Sequence, residues 1–180
     1  KDINKSSQFH GPTMMFKKDL VKNTNEIYRP FFNDYNEDCD LAYRIAEKNF
    51  SINVDEYLYL WRIRSKSLSK SLDARKKNMY KIVVHLAKQR KLNGKDDLME
   101  KKDDQVQSYL KKLIVPYKID PSLIHRETAE FHMYFELYKS AVTNAIKGTY
   151  LKPLKLINYR TLLYCLRKWV FSPVNKNPTY

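Results

Sequence analysis

Apolar positions change their spacing part-way along the chain. Up to about residue 71 they form short, mixed groups. Phe9 to Phe16 reads as an extended segment around a Gly11-Pro12 turn, and Lys17 to Lys22 as a short helical turn. Pro30 keeps Tyr28-Arg29-Pro30-Phe31-Phe32 out of a regular helix. Leu41, Ala42 and Ile45 share one face of a helix expected from about Asp38 to Lys48. Phe50, Ile52 and Val54 then alternate with polar residues, the period of a strand, and Tyr57 to Ile63 reads as a second strand. Ser65 to Ser71 is a loop rich in serine and lysine.

From about Leu72 the period becomes helical. Met79, Ile82, Val83 and Leu86 fit one helix face; Val106, Tyr109, Leu110, Leu113 and Ile114 fit another, ended by Pro116. A run from about Leu123 to Lys147 predicts one long helix with Gly148 as its stop, and Leu154 to Phe171 predicts a last helix. The expected fold class is therefore α+β and helix-rich, with a mixed α/β part over residues 1–72 and a helical region over 73–180. No repeat period recurs, which argues against a solenoid.

Composition narrows the function classes. At 180 residues and 43% hydrophobic content the chain can build a core of ordinary size. Its 3 glycines cannot write a P-loop or a dinucleotide fingerprint. Cys39 and Cys165 stand far apart and read as reduced, buried thiols, which favours a cytoplasmic protein. No stretch reaches the roughly 18 apolar residues of a spanning helix. The start at Lys1, without methionine or signal peptide, reads as a piece of a longer protein. The net charge of +14 is uneven: residues 1–70 hold 12 Lys/Arg against 10 Asp/Glu, and residues 71–180 hold 22 against 10. The excess belongs to the helical region.

The densest chemistry lies in Asn36-Glu37-Asp38-Cys39-Asp40, where carboxylates meet the start of an amphipathic helix. Acidic residues are favoured at any helix N-terminus, so a purely structural role remains open. The order of the flanks adds more: a Gly11-Pro12 turn with Met14-Met15-Phe16, the aromatic loop, Glu37-Asp38 with its helix, two strands, then Trp61-Arg62-Ile63-Arg64-Ser65-Lys66-Ser67-Leu68-Ser69. Over residues 9–71 this order resembles the acceptor-side half of an inverting GT-A family 2 glycosyltransferase. The resemblance implies Asp38 as general base, with Glu37 helping to hold the acceptor. It places Arg62 on the donor diphosphate, with Ser67 and Ser69 adding hydrogen bonds. Arg64 stands where many relatives carry histidine, which implies a phosphate rather than a metal role for it, and His10, preceding the turn near the implied acceptor cleft, is a candidate substrate contact. A basic, solvated loop is the alternative for Arg62 to Ser69.

Asp38-Cys39-Asp40 is also a literal Asp-X-Asp match, but it runs into a helix rather than ending a strand, so it reads as the base region. The resemblance therefore implies that the nucleotide-binding half is missing. A divalent metal, Mg or Mn, is expected in the full-length enzyme and none on this chain alone, which should not turn over by itself. The implied partners are a nucleotide-sugar donor and a glycan or lipid-linked acceptor, in glycan or polysaccharide biosynthesis. His85, His125 and His132 lack metal-ligand spacing. In the last helix, Leu156, Leu163, Trp169 and Phe171 alternate with Arg160, Arg167 and Lys168, which suits either docking on the protein's own core or peripheral contact with the inner membrane face through 154–171. The other function class is a basic helical module binding nucleic acid or an anionic membrane. Nucleic acid is not expected, because no recognised motif accompanies the charge.

Overall fold

The computed structural model describes residues 11–22, 26–33, 35–56, 58–60 and 73–172. Among the described residues seven α-helices account for nearly all of the regular structure: α1 (Asp19–Lys22), α2 (Glu37–Ala46), α3 (Ala74–Asn93), α4 (Asp103–Ile119), α5 (Ser122–Tyr134), α6 (Tyr138–Leu151) and α7 (Leu156–Phe171). Short 3-10 turns occur at Gly11–Thr13 and Pro30–Phe32.

No strand is present among the described residues, which overturns the expected α+β class and its GT-A-like α/β segment. The physical reason is visible at Phe50, Ile52 and Val54. They are 93%, 74% and 62% exposed, and the backbone around them makes no ladder. Alternation supplies a face for a strand, but a strand also needs a neighbour for its backbone N–H and C=O groups. Of the second expected strand, Leu58 to Leu60 is irregular, and Tyr57 and Trp61 to Ile63 lie outside the described residues.

The chain divides into two compact units, residues 1–64 with 75–113, and residues 65–74 with 114–180. In the first unit α3 buries Met79, Ile82, Val83 and Leu86, the stripe read from the sequence, and extends it through Asn78 and Arg90. Phe32, Leu41, Tyr43, Val106 and Leu110 add further large buried side chains to this unit. Tyr43 and Tyr80 share a hydrogen bond of 2.7 Å between their hydroxyls, tying α2 to α3. His85 stacks on Tyr109 with 4.2 Å between ring centroids, a packing role for that histidine.

In the second unit α5, α6 and α7 pack around Ala129, Ala141, Val142, Ala145 and Cys165, with Met133, Leu162 and Leu166 against them. Three expectations change here. The run Leu123 to Lys147 is two helices, broken where Glu136 takes a φ of 56°. The break is closed by bonds from the Glu136 N–H to Met133 O (3.1 Å) and from the Leu137 N–H to His132 O (2.9 Å). Gly148 does not stop α6, which continues to Leu151. A Cβ there would sit 3.4 Å from the His125 Cβ and 3.5 Å from Ser122 O, ordinary contact distances, so α6 packs on α5 at this position without a steric need for glycine. Pro116 lies inside α4 rather than ending it; the helix forgoes one N–H bond and its next turn closes with Asp120 N–H on Pro116 O at 2.9 Å.

A polar knot fastens the start of α7. The Asn158 amide, fully buried, donates to Gly148 O and Lys152 O at 2.9 Å each and accepts from Arg126 Nη1 at 2.8 Å. Asp120 accepts from Arg126 Nη2 (3.1 Å) and Lys155 Nζ (2.6 Å) as well as from Ser122.

Candidate functional site

Helix α2 begins with Glu37, Asp38 and Asp40 in its first turn, following Asn36, which adopts a left-handed conformation at φ 63°. That bend lets the chain enter the helix sharply, and three carboxylates then meet the N–H end of the helix dipole. The two aspartates part ways. Asp38 is half-buried and turns toward the Gly11 turn, 27 residues earlier: the Gly11 N–H donates to Oδ2 at 3.0 Å and the Cys39 N–H to Oδ1 at 2.7 Å. Each oxygen keeps a second lone pair. Asp40 is fully buried and points the other way.

Asp40 belongs to a charge network that spans the first unit. Arg29 donates from Nε and Nη2 to the two oxygens of Asp40, the Nε bond being 2.8 Å, and from Nη1 to both oxygens of Asp96 at 2.9 Å. Arg44 adds an Nε bond of 3.0 Å to Asp40 and reaches Ile27 O at 2.6 Å. Arg90 donates to Asp96 and makes a bidentate pair with Glu47, both bonds 2.7 Å. Three guanidiniums thus face three carboxylates, and the formal charges cancel.

Neutrality and bidentate geometry are what make such burial tolerable, because each ion removed from water costs several kcal/mol before pairing. Burial pushes the Asp96 carboxyl upward, but Arg29, the Met99 N–H and Arg90 outweigh it and hold the group below the ordinary aspartate range. For Arg44 burial wins, lowering its pKa despite Asp40. For Arg90 the reverse holds: Glu47 and Asp96 overcome burial and raise it. The network therefore clamps α2 against the Arg29 loop, the end of α3 and the Asp96 loop.

Sequence reasoning read Asp40 only as part of the acidic cluster and its Asp-X-Asp match, and missed Arg29, Arg44, Glu47, Arg90 and Asp96. One signal was available: Asp40 and Arg44 are four apart on a helix, an ion-pair spacing. The structure brings Asp38 and the Gly11 turn together and puts Glu37 at the first position of α2. His10, Arg62, Arg64, Ser67 and Ser69 lie outside the described residues. Among the described residues no group of three or more His, Cys, Asp or Glu could hold a metal ion. None of the helices among them is long and apolar enough to cross a membrane.

No protein-family model, curated protein or solved structure matches the chain. The resemblance to the GT-A glycosyltransferases therefore does not hold: a fragment of that fold would bring sheet, and the described residues are helical with no family match.

Proposed function

We propose that this chain supplies the acceptor-activating carboxylate of a nucleotide-sugar-dependent glycosyl transfer, with Asp38 as the general base. The proposal is one of chemistry and not of fold family. The observation that carries it is the bond from the Gly11 N–H to Asp38 Oδ2, which seats a half-buried carboxylate at a turn without a side chain.

In the step assigned to it, an acceptor hydroxyl attacks the anomeric carbon of the donor. The new C–O bond forms while the bond to the diphosphate oxygen breaks, and the nucleoside diphosphate leaves with that electron pair. Asp38 takes the hydroxyl proton as this happens. The bonds from Gly11 and Cys39, one to each oxygen, fix the orientation of the carboxylate in advance of the reaction. Glu37, one position earlier on α2, would hold a second acceptor hydroxyl. The donor's diphosphate, with any divalent metal that accompanies it, and its contacts from Arg62 and Arg64 belong to the same proposal.

The test is nucleoside diphosphate release from a panel of sugar nucleotides, in the complete gene product. Asp38→Asn removes the proton acceptor with little change of shape, and positioned bases contribute about 10²–10⁴-fold. Transfer should fall by that order with donor affinity nearly unchanged. Wild-type rates in Asp38→Asn would remove Asp38 from the chemistry.

A further inference from the structure

After Glu136 the sequence contains no Asp or Glu, while Lys and Arg recur throughout α6 and α7 and the turn between them. On α7, Leu156, Leu163 and Val170 are seven residues apart, which brings them to nearly the same azimuth of the helix. They are 82%, 66% and 70% exposed, and Leu154 and Phe171 at the two ends of the helix are exposed as well. Arg160 and Arg167, also seven apart and exposed, form a second stripe beside the first. The core-facing side of the helix is a different one, carrying Asn158, Thr161 and Cys165.

We propose that this face of α7 docks on an anionic lipid bilayer. The aliphatic stripe would sit among the upper acyl chains, with Arg160 and Arg167 reaching lipid phosphates from the same face. Charge complementarity selects the occupant. A second copy of the chain would set arginine against arginine, with no carboxylate on α6 or α7 to meet it. Nucleic acid would satisfy the arginines but leave Leu156, Leu163 and Val170 without a stacking partner. A bilayer interface accepts both stripes at once.

Existing ion pairs compete only in part. Lys155 is engaged by Asp120, and Glu130 shares with Arg160 the lining of a groove of about 650 Å³ between α5 and α7. Among the described residues Arg160, Arg167 and Lys168 have no carboxylate within salt-bridge distance.

The experiment is co-sedimentation of the chain with phosphatidylcholine vesicles, with and without phosphatidylserine. Binding is expected only with phosphatidylserine and should weaken as salt rises. Leu163→Ser with Val170→Ser alters two exposed side chains, so the fold, checked by circular dichroism, should persist while affinity drops about a hundredfold. Arg160→Gln with Arg167→Gln should lower it about thirtyfold, at roughly one cation's worth of attraction each. The proposal fails if the wild type stays in the supernatant, or if either folded double variant sediments like the wild type. It also fails if a single-stranded oligonucleotide is bound more tightly than the vesicles, which would favour nucleic acid. Asp38→Asn should sediment normally, so this surface and the carboxylate site stand or fall separately.

Discussion

Gly11 and Asp38 occupy one space that a larger residue would have to contest. A Cβ built on Gly11 would collide with Oδ2 of Asp38 and lie 3.0 Å from its Cβ and 3.1 Å from its Cγ. The carboxylate cannot simply swing aside, since Oδ1 is held by the Cys39 N–H and the Cα belongs to α2. Gly11→Ala should therefore displace Asp38. If Asp38 is the base, a shift of about 1 Å should cost roughly 10²-fold in transfer by the complete gene product. Loss of the backbone hydrogen bond should lower stability by only about 1 kcal/mol. Rate measurements and urea midpoints on the same protein separate the two, and unchanged transfer would show that the position of Asp38 is immaterial.

Removing one ion from the buried network should do the opposite, costing stability first. Asp40→Asn keeps the shape of the side chain but leaves Arg29 and Arg44 facing an amide instead of a carboxylate. Breaking a buried pair this way typically costs about 3–5 kcal/mol. That loss should appear as a lower urea midpoint with an unchanged slope. A change within about 0.5 kcal/mol would mean the network is neither as dry nor as rigid as its geometry indicates.

Particular residues show what the sequence made legible. The α3 stripe followed from plain helical spacing, whereas the bond from the Gly11 N–H to Asp38, 27 residues on, had no local signal. Asp40 and Arg44, four apart on one helix, carried a readable spacing that sequence reasoning passed over. Nothing local tied Arg29 to Asp96, 67 residues away, or Arg90 to Glu47, 43 away. Such pairs arise from tertiary packing, and each alone looks like a surface charge. The strand expected over Phe50 to Val54 failed for a related reason, because period two describes a face and not the neighbour it needs. The split between α5 and α6 turns on one left-handed residue, Glu136, which no hydrophobic pattern marks.

Acid should weaken the second unit through Asp120. Its burial raises the carboxyl pKa, but the bonds from Lys155, Ser122 and Arg126 more than reverse this and hold it far below the usual aspartate range. A carboxyl depressed on folding contributes stability above its unfolded pKa of about 3.9, and that contribution is lost as pH falls toward the folded value. Asp120→Asn should thus lower Tm at neutral pH, and the gap to wild type should shrink below about pH 4. Asp96 in the first unit has the same sign, so Asp96→Asn should converge with wild type in the same direction. Parallel thermal melts from neutral pH to pH 3 decide it; a constant gap would mean that the ion pairs do not set the acid response.

Asn158 offers the sharpest test of how α7 is held. Its single amide satisfies Gly148 O and Lys152 O at the end of α6 and the Arg126 guanidinium from α5. Leucine at this fully buried position would match the volume while abandoning all three groups. Leaving buried polar groups unpaired costs about 1–3 kcal/mol each, though Lys152 O is near the surface and Arg126 retains Asp120 and Ser122. A net loss of about 2–4 kcal/mol is expected for Asn158→Leu. The loss should be local, with faster amide hydrogen exchange in α7 and the last turn of α6 and unchanged protection in α3. Uniform loss of protection across both units would show instead that they unfold together and that Asn158 is not a local clamp.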